Sequence, residues 1–350
     1  MHHIKYLFLF VFLCSCAKLG YLAEQGTGQV SLLTRAKDND EVLKDVRISK
    51  KDKEKIKLVK KYKTYFYEFW DKKPTSIYSK TTILHDEAVT YLVIVSPHNE
   101  IKAKKECFPV MGCFPYLGFF KKESAKDYAK DMEEKNLVTH IRPVYAYSTL
   151  GYFTDSILSS FFYYDDYELA ELIYHELFHT IFFVKDEVEL NENLANYFGK
   201  EMAMQYFYED KSLKERLEKE QVLTKELAAV VVDFARSMDE KLKSNSSIDK
   251  ESAKSMIQTR QNKDLRPSLK AVCKKHSVSD KKCYFLKREW NQASLAAFMT
   301  YENKVDKIKL LRDSIPGDLK DFFLYIEREL KQYEDSDEDK PFSEWLFRNL

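Results

Sequence analysis

The sequence predicts an α+β protein in which a few strands are enclosed by more numerous helices. Three observations carry this expectation. In "KDKEKIKLVKKYKTYFYEFW" (51–70), Ile56, Val59, Tyr62, Phe66 and Phe69 recur at helical spacing, so one stripe is buried and the lysines face outward. "VTYLVIVS" (89–96) is rich in β-branched residues and closed by Pro97, the pattern of a strand. From 211 to 350 the chain is helix-rich. With 350 residues, 44% of them hydrophobic and 14% aromatic, the chain can bury one large or two modest cores.

Composition also excludes several classes. Lys plus Arg (57) nearly cancels Asp plus Glu (56), so nothing in the charge recommends a nucleic acid as partner. Only 8 Gly and 8 Pro occur, with no fixed-period self-similarity, which argues against collagen-like, disordered or solenoid chains.

The N-terminal stretch "MHHIKYLFLFVFLCSC" reads as an export signal, with cationic Lys5, an apolar run from Tyr6 to Leu13, then a small residue and cysteine. Its apolar run is too short to span a bilayer. "LCSC" resembles a bacterial lipobox, with Leu13 three and Ser15 one position before Cys16, so residues 1–15 are expected to be removed and Cys16 lipidated. The product would be held at a membrane of the bacterial envelope by its N-terminal lipid, on the periplasmic or outer-surface side. Residues 16–60 read as a tether plus a docking helix, interrupted at Gly26 and Gly28. Residues 61–208 are expected to form the main folded core, with 209–350 packing on it as a helical region.

Within the core, "ECFPVMGCFPYLGFF" (106–120) suggests short strands or a hairpin, and 123–134 a short helix. "VTHIRPVYAYSTLGYF" (138–153) reads as an edge strand, because Pro143 cannot donate to a central ladder. Asp165 and Asp166 can cap the next helix, with Glu168 supporting its first turn. After "VKDEVEL" (184–190) a second helix follows from Asn191 to about Tyr208. Beyond it, "KSNSSIDKES" (243–252) is a polar break and "EDSDED" (334–339) an acidic run. In an oxidising compartment the remaining cysteines suggest bridges Cys107 to Cys113 and Cys273 to Cys283. Metal ligation and free thiols are the alternatives, although neither spacing is the two-residue knuckle of structural zinc.

The chemistry concentrates in "LAELIYHELFHTIFF" (169–183), where His175, Glu176 and His179 interrupt an apolar helix. Residues i and i+4 project from one face, so both histidines can reach one metal ion. Glu176 need not ligate and can act as the base that takes a proton from the attacking water. A catalytic zinc needs a third protein ligand and an open position, and Glu192 in "LNENLANYFGKEM" is placed to supply it. It lies thirteen positions past His179, far enough for a second helix to return across the first. Ala195 suits close packing there. Asn196 falls on the same face as Glu192, either orienting a histidine or serving as an ordinary polar residue. His85, His98, His140 and His276 show no comparable grouping and default to structural or surface roles.

Several stretches in order then resemble the bacterial predicted aminopeptidase family of gluzincin type: "CAKLGYLAEQGTGQVSLL", "CFPVMGCFPYLGFF", "VYAYSTLGYFTDSILSS", "LIYHELFHTIFF", "ELNENLANYFG" and "WNQASLAAFMTYENKV". They span Cys16 to Val305, with a divergent stretch near 209–285. The resemblance implies a zincin-like core, comprising a small mixed sheet, the HExxH helix and the glutamate-bearing helix, with a largely helical C-terminal part. It also implies one Zn2+ per chain on His175, His179 and Glu192, with Glu176 as base, and peptide as substrate. The chain departs from the family in having Asn291-Gln292 where two asparagines are usual, and in the charged connection 185–189.

Two roles remain distributed over alternatives. The oxyanion needs a further donor; Tyr301, which falls on the family's C-terminal tyrosine, is one candidate, and Tyr145 and Tyr147 are others. An aminopeptidase must also hold the substrate's free α-amine, for which Asp155 is available unless it caps a helix. Zinc endopeptidase activity, or a non-catalytic lipoprotein that binds peptide or cell wall, are the competing functions.

Overall fold

A computed structural model describes residues 20–108, 112–146, 154–245, 247–302, 305–336 and 338–350. Cys16, Tyr147 and the segment 147–153 lie outside the described residues.

The first helix, α1 (20–35), runs through Gly26 and Gly28 without the interruption expected from sequence. The reason lies across the fold. A Cβ at Gly28 would sit 2.2 Å from the Phe120 ring, so glycine is what lets that ring reach the helix backbone. The contact offsets glycine's helix penalty of about 1 kcal/mol. Gln25 Nε2 also donates to the Gly118 carbonyl at 2.9 Å. After β1 (Lys37–Asp38) and α2 (Asn39–Lys44) comes α3 (Lys50–Phe69), capped by Ser49, whose hydroxyl accepts from the Asp52 N–H. Ile56, Val59, Tyr62 and Phe66 are buried along α3, as their spacing requires. The expected boundary at residue 60 therefore falls inside one continuous helix.

Three small sheets follow. In the first, β2 (Lys80–Thr82) lies between antiparallel β1 and parallel β8 (Ile157–Leu158). In the second, β3 (Thr90–Pro97) is central, antiparallel to both β6 (Leu117–Phe119) and β7 (Leu137–Val144). Pro143 stands opposite Tyr91 on β7, which is an edge strand of this sheet. The third pairs β4 (Glu106–Phe108) with β5 (Gly112–Phe114), placing Cys107 opposite Cys113, to which it is disulfide-bonded. Helix α4 (Lys122–Glu134) covers the second sheet, burying Ala125, Ala129 and Met132 among Tyr91, Val93 and Val95.

The helices α5 (Asp166–Phe178) and α6 (Val188–Tyr206) pack against each other and α5 against α3. Their core is completed from the far end of the chain by α11 (Val305–Ser314), α12 (Leu319–Glu334) and α13 (Phe342–Leu346), through Ile308, Phe322, Phe323 and Phe342. A second core forms where the latter half of α7 (Lys211–Ser244) meets α8 (Lys250–Arg260), α9 (Arg266–Lys275) and α10 (Gln292–Glu302). Val231, Leu269 and Leu295 are fully buried there, and a disulfide joins Cys273 to Cys283. Residues 209–350 thus serve two cores, the final helices belonging to the one that holds α5 and α6. Among the described residues no helix is long and apolar enough to cross a membrane.

Candidate metal centre

Helix α5 starts with a capping box. The Asp165 carboxylate accepts from the Glu168 N–H at 2.8 Å, and the Glu168 carboxylate accepts from the Asp165 N–H at 3.0 Å. Helix α3 then holds this end in place. Lys55, itself buried, donates through Nζ to the Tyr164 carbonyl and to Asp166 Oδ1, both at 2.7 Å, and Tyr62 donates its hydroxyl to the Asp166 carbonyl. At the other end α5 stops at Phe178 and His179 is its C-cap. Thr180 Oγ donates to the Leu177 carbonyl at 2.7 Å, and Tyr67 reaches Thr180 from α3.

Helix α6 crosses α5 closely. A Cβ at Gly199 would lie 2.9 Å from the His175 backbone nitrogen and 3.0 Å from the Glu171 carbonyl, so no larger residue fits that crossing. Ala195 is fully buried one turn earlier, and Phe198 stacks on Phe178 with centroids 4.6 Å apart. Such a stacked pair adds about 0.5–1.5 kcal/mol beyond its buried area.

This crossing brings His175, His179 and Glu192 together, with one donor atom of each within 4.8 Å of the others. His175 Nε2 faces Glu192 Oε2 at 3.5 Å and His179 Nε2 faces Glu192 Oε1 at 3.4 Å. These separations are long for N–H···O bonds. They leave both imidazoles and the carboxylate close enough to reach one ion at ligand distances of about 2.0–2.1 Å. The donor set, two imidazoles and one carboxylate, is also that of catalytic zinc sites. The residues present therefore fit the ion. The histidine side chains are only 15% and 4% exposed whereas that of Glu192 is 45% exposed, so the cluster opens to solvent on the Glu192 side.

The electrostatics follow from this proximity. Burial opposes protonation of His175, but Glu192, the charge of Glu176 and the side chain of Asn196 outweigh it and hold the imidazole above its usual range. Burial likewise disfavours the charged form of Glu192, yet the two imidazoles bring its carboxyl down to about 2. Asn196, exposed on α6, thus acts on His175. His179 Nδ1 is buried with no hydrogen-bond partner among the described residues.

Glu176 is buried beside the cluster. Close to it lies Tyr78, a residue that sequence reasoning missed. Tyr78 is buried with φ 59°, its N–H donates to the Asp155 carbonyl at 2.8 Å, and its own carbonyl accepts from Asn39. Burial foremost, then the charges of Glu176 and Asp155, push the Tyr78 phenol well above its ordinary value. The Tyr78 phenol thus senses the charges of both Glu176 and Asp155. No short motif signals a tyrosine in this left-handed conformation.

The other expected residues are distributed elsewhere. Tyr145 is 37% exposed and its carbonyl accepts from Ser160 Oγ. Tyr301 falls in the last turn of α10, which packs on β3, β7 and α7, and its side chain lies outside the described residues. His98 lies between two carbonyls, of Asn136 and Ile248. His140 is held below its usual range by burial and by Arg142 and Arg288, and His276 faces Glu226.

Compared with known proteins, the chain matches the family model described as Putative aminopeptidase over residues 20–341. No curated protein and no solved structure matches it.

Proposed function

The chain belongs to this Putative aminopeptidase family, and we propose that it is a zinc-dependent peptidase of gluzincin type on a zincin-like core, anchored in the bacterial envelope through lipidated Cys16. Family membership supports peptide hydrolysis in general. The observation that carries the finer reading is the pair of histidine Nε2 atoms facing opposite oxygens of one carboxylate at 3.5 and 3.4 Å.

His175, His179 and Glu192 would hold one Zn2+ per chain. When bound, zinc polarises a peptide carbonyl and acidifies a water molecule. Glu176 then serves as general base, taking the proton of the attacking water through its carboxylate and delivering it to the departing amine nitrogen. Its burial keeps competing solvent away from that transfer. Asn196 favours a fixed orientation of His175. Asp155, whose carbonyl accepts the Tyr78 N–H, is the carboxylate offered to the substrate's α-amine. With the amine held, cleavage is confined to the N-terminal peptide bond.

The test is metal analysis of the purified full chain together with turnover of paired peptides, free or N-acetylated at the N-terminus. One zinc per chain, chelator-sensitive cleavage and a strong preference for the free amine are expected. Equal rates on both members of each pair would make it an endopeptidase. Bound zinc without any cleavage would instead favour a peptide-binding or wall-binding lipoprotein.

A further inference from the structure

Glu192 differs from the two histidines in how it is positioned. His175 and His179 share one helix, so their relation is set by helix geometry. Glu192 reaches them only after the chain has left α5, run through a connection and begun α6. Any slack in that connection would appear directly as displacement of the carboxylate.

The side chain of Asn191 closes this connection. Asn191, 2% exposed, accepts from the Val184 N–H through Oδ1 at 2.8 Å and donates through Nδ2 to the Val184 carbonyl at 2.7 Å. Its amide thus pairs with both backbone groups of one residue, as a neighbouring strand would. The intervening backbone turns at Asp186, with φ 63°, and the Glu187 carbonyl accepts the Asn191 N–H at 3.0 Å. Glu187 is itself fixed from the C-terminal segment, where the Ser343 N–H donates to its carboxylate at 2.9 Å.

We propose that Asn191 is a positioning residue for the metal centre, its paired hydrogen bonds to Val184 setting where Glu192 stands relative to His175 and His179. The inference rests on the zinc reading of those three residues. Asparagine suits this task because it carries a donor and an acceptor side by side. Aspartate keeps the shape and the acceptor but sets an oxygen against the Val184 carbonyl. Leucine keeps the same heavy-atom branching, although its methyl groups are bulkier, and removes both bonds.

The experiment is zinc affinity of the full chain by chelator competition, for wild type, Asn191→Asp, Asn191→Leu and Leu269→Ala. The last lies in the second core and is fully buried, so it lowers stability without touching the connection. Asn191→Asp is expected to weaken zinc binding by roughly tenfold or more, the usual effect of losing a group that orients a ligand. It should also alter the visible spectrum of the cobalt-substituted protein, while Leu269→Ala leaves affinity and spectrum unchanged. Should Asn191→Leu fail to fold, Asn191→Asp carries the test. Wild-type affinity and an unchanged cobalt spectrum in Asn191→Asp would overturn the proposal while leaving the zinc reading intact. Failure of the wild-type chain to take up zinc would overturn both.

Discussion

Gly199 on α6 stands so close to His175 on α5 that a Cβ there would come within 2.9 Å of the histidine's backbone nitrogen. Gly199 is two helical turns beyond Glu192, so the crossing that requires glycine also aims the carboxylate. Gly199→Ala should therefore push the helices apart and weaken zinc binding by roughly tenfold or more. Crowding costs about 1–3 kcal/mol, while alanine recovers about 1 kcal/mol of helix propensity. Thermal stability is thus the less sensitive readout, and the measurement is zinc affinity by competition. An affinity within twofold of wild type would show that the crossing does not govern Glu192.

Glu176→Gln separates ligation from proton transfer. The substitution preserves shape and leaves His175, His179 and Glu192 untouched, so zinc content should remain one per chain. Turnover should fall by about 10²–10⁴, the usual loss for a general base. The check is parallel metal analysis and peptide hydrolysis, and full turnover with bound zinc would remove Glu176 from the mechanism.

Zinc binding should weaken as pH falls. Zinc requires neutral His175, whose proton affinity is raised by its neighbours, so uptake releases a proton and competes with acid. In the metal-free protein the linkage has a defined window. His175, raised in the folded state, contributes stability that is present below its unfolded value near 6.5 and is lost as pH rises through the folded value. Glu192, lowered to about 2, contributes stability present above its unfolded value of 4.5 and lost as pH falls towards 2. Metal-free stabilisation by this cluster is therefore greatest between those unfolded values. The destabilisation caused by a chelator should be large at pH 8 and shrink by pH 5, as read by thermal melts with and without zinc. A chelator effect that did not vary with pH would contradict this assignment.

Lys55→Met should destabilise the protein by about 1–3 kcal/mol, because the Tyr164 carbonyl and Asp166 lose a charged donor at the start of α5. The histidines lie more than two turns away along the helix, so zinc affinity should stay within a few-fold of wild type. Denaturant unfolding alongside zinc titration checks both halves. A large loss of affinity would mean that this end of α5 controls the metal cluster.

How much of this was legible in the chain varies with the range of the interaction. His175, Glu176 and His179 announce themselves because a helix period places them without outside help. The stripe on α3 and the strand at 90–97 were legible for the same reason. Gly199 had a visible signal, a lone glycine inside a helical pattern, which usually reports close packing. Gly28 carried the same signal but suggested a break, since the Phe120 ring that explains it comes from a distant strand end. Asn191 and Tyr78 were not readable, because their roles depend on backbone groups presented by non-helical segments.

By itself, the sequence determined which residues can ligate and which faces must be buried, since both follow from local periodicity and residue chemistry. Only the tertiary structure decided that Glu192 meets the two histidines. That meeting depends on the approach of α6 to α5 at Gly199 and on the pairing of Asn191 with Val184, contacts between segments whose relative position no local period specifies.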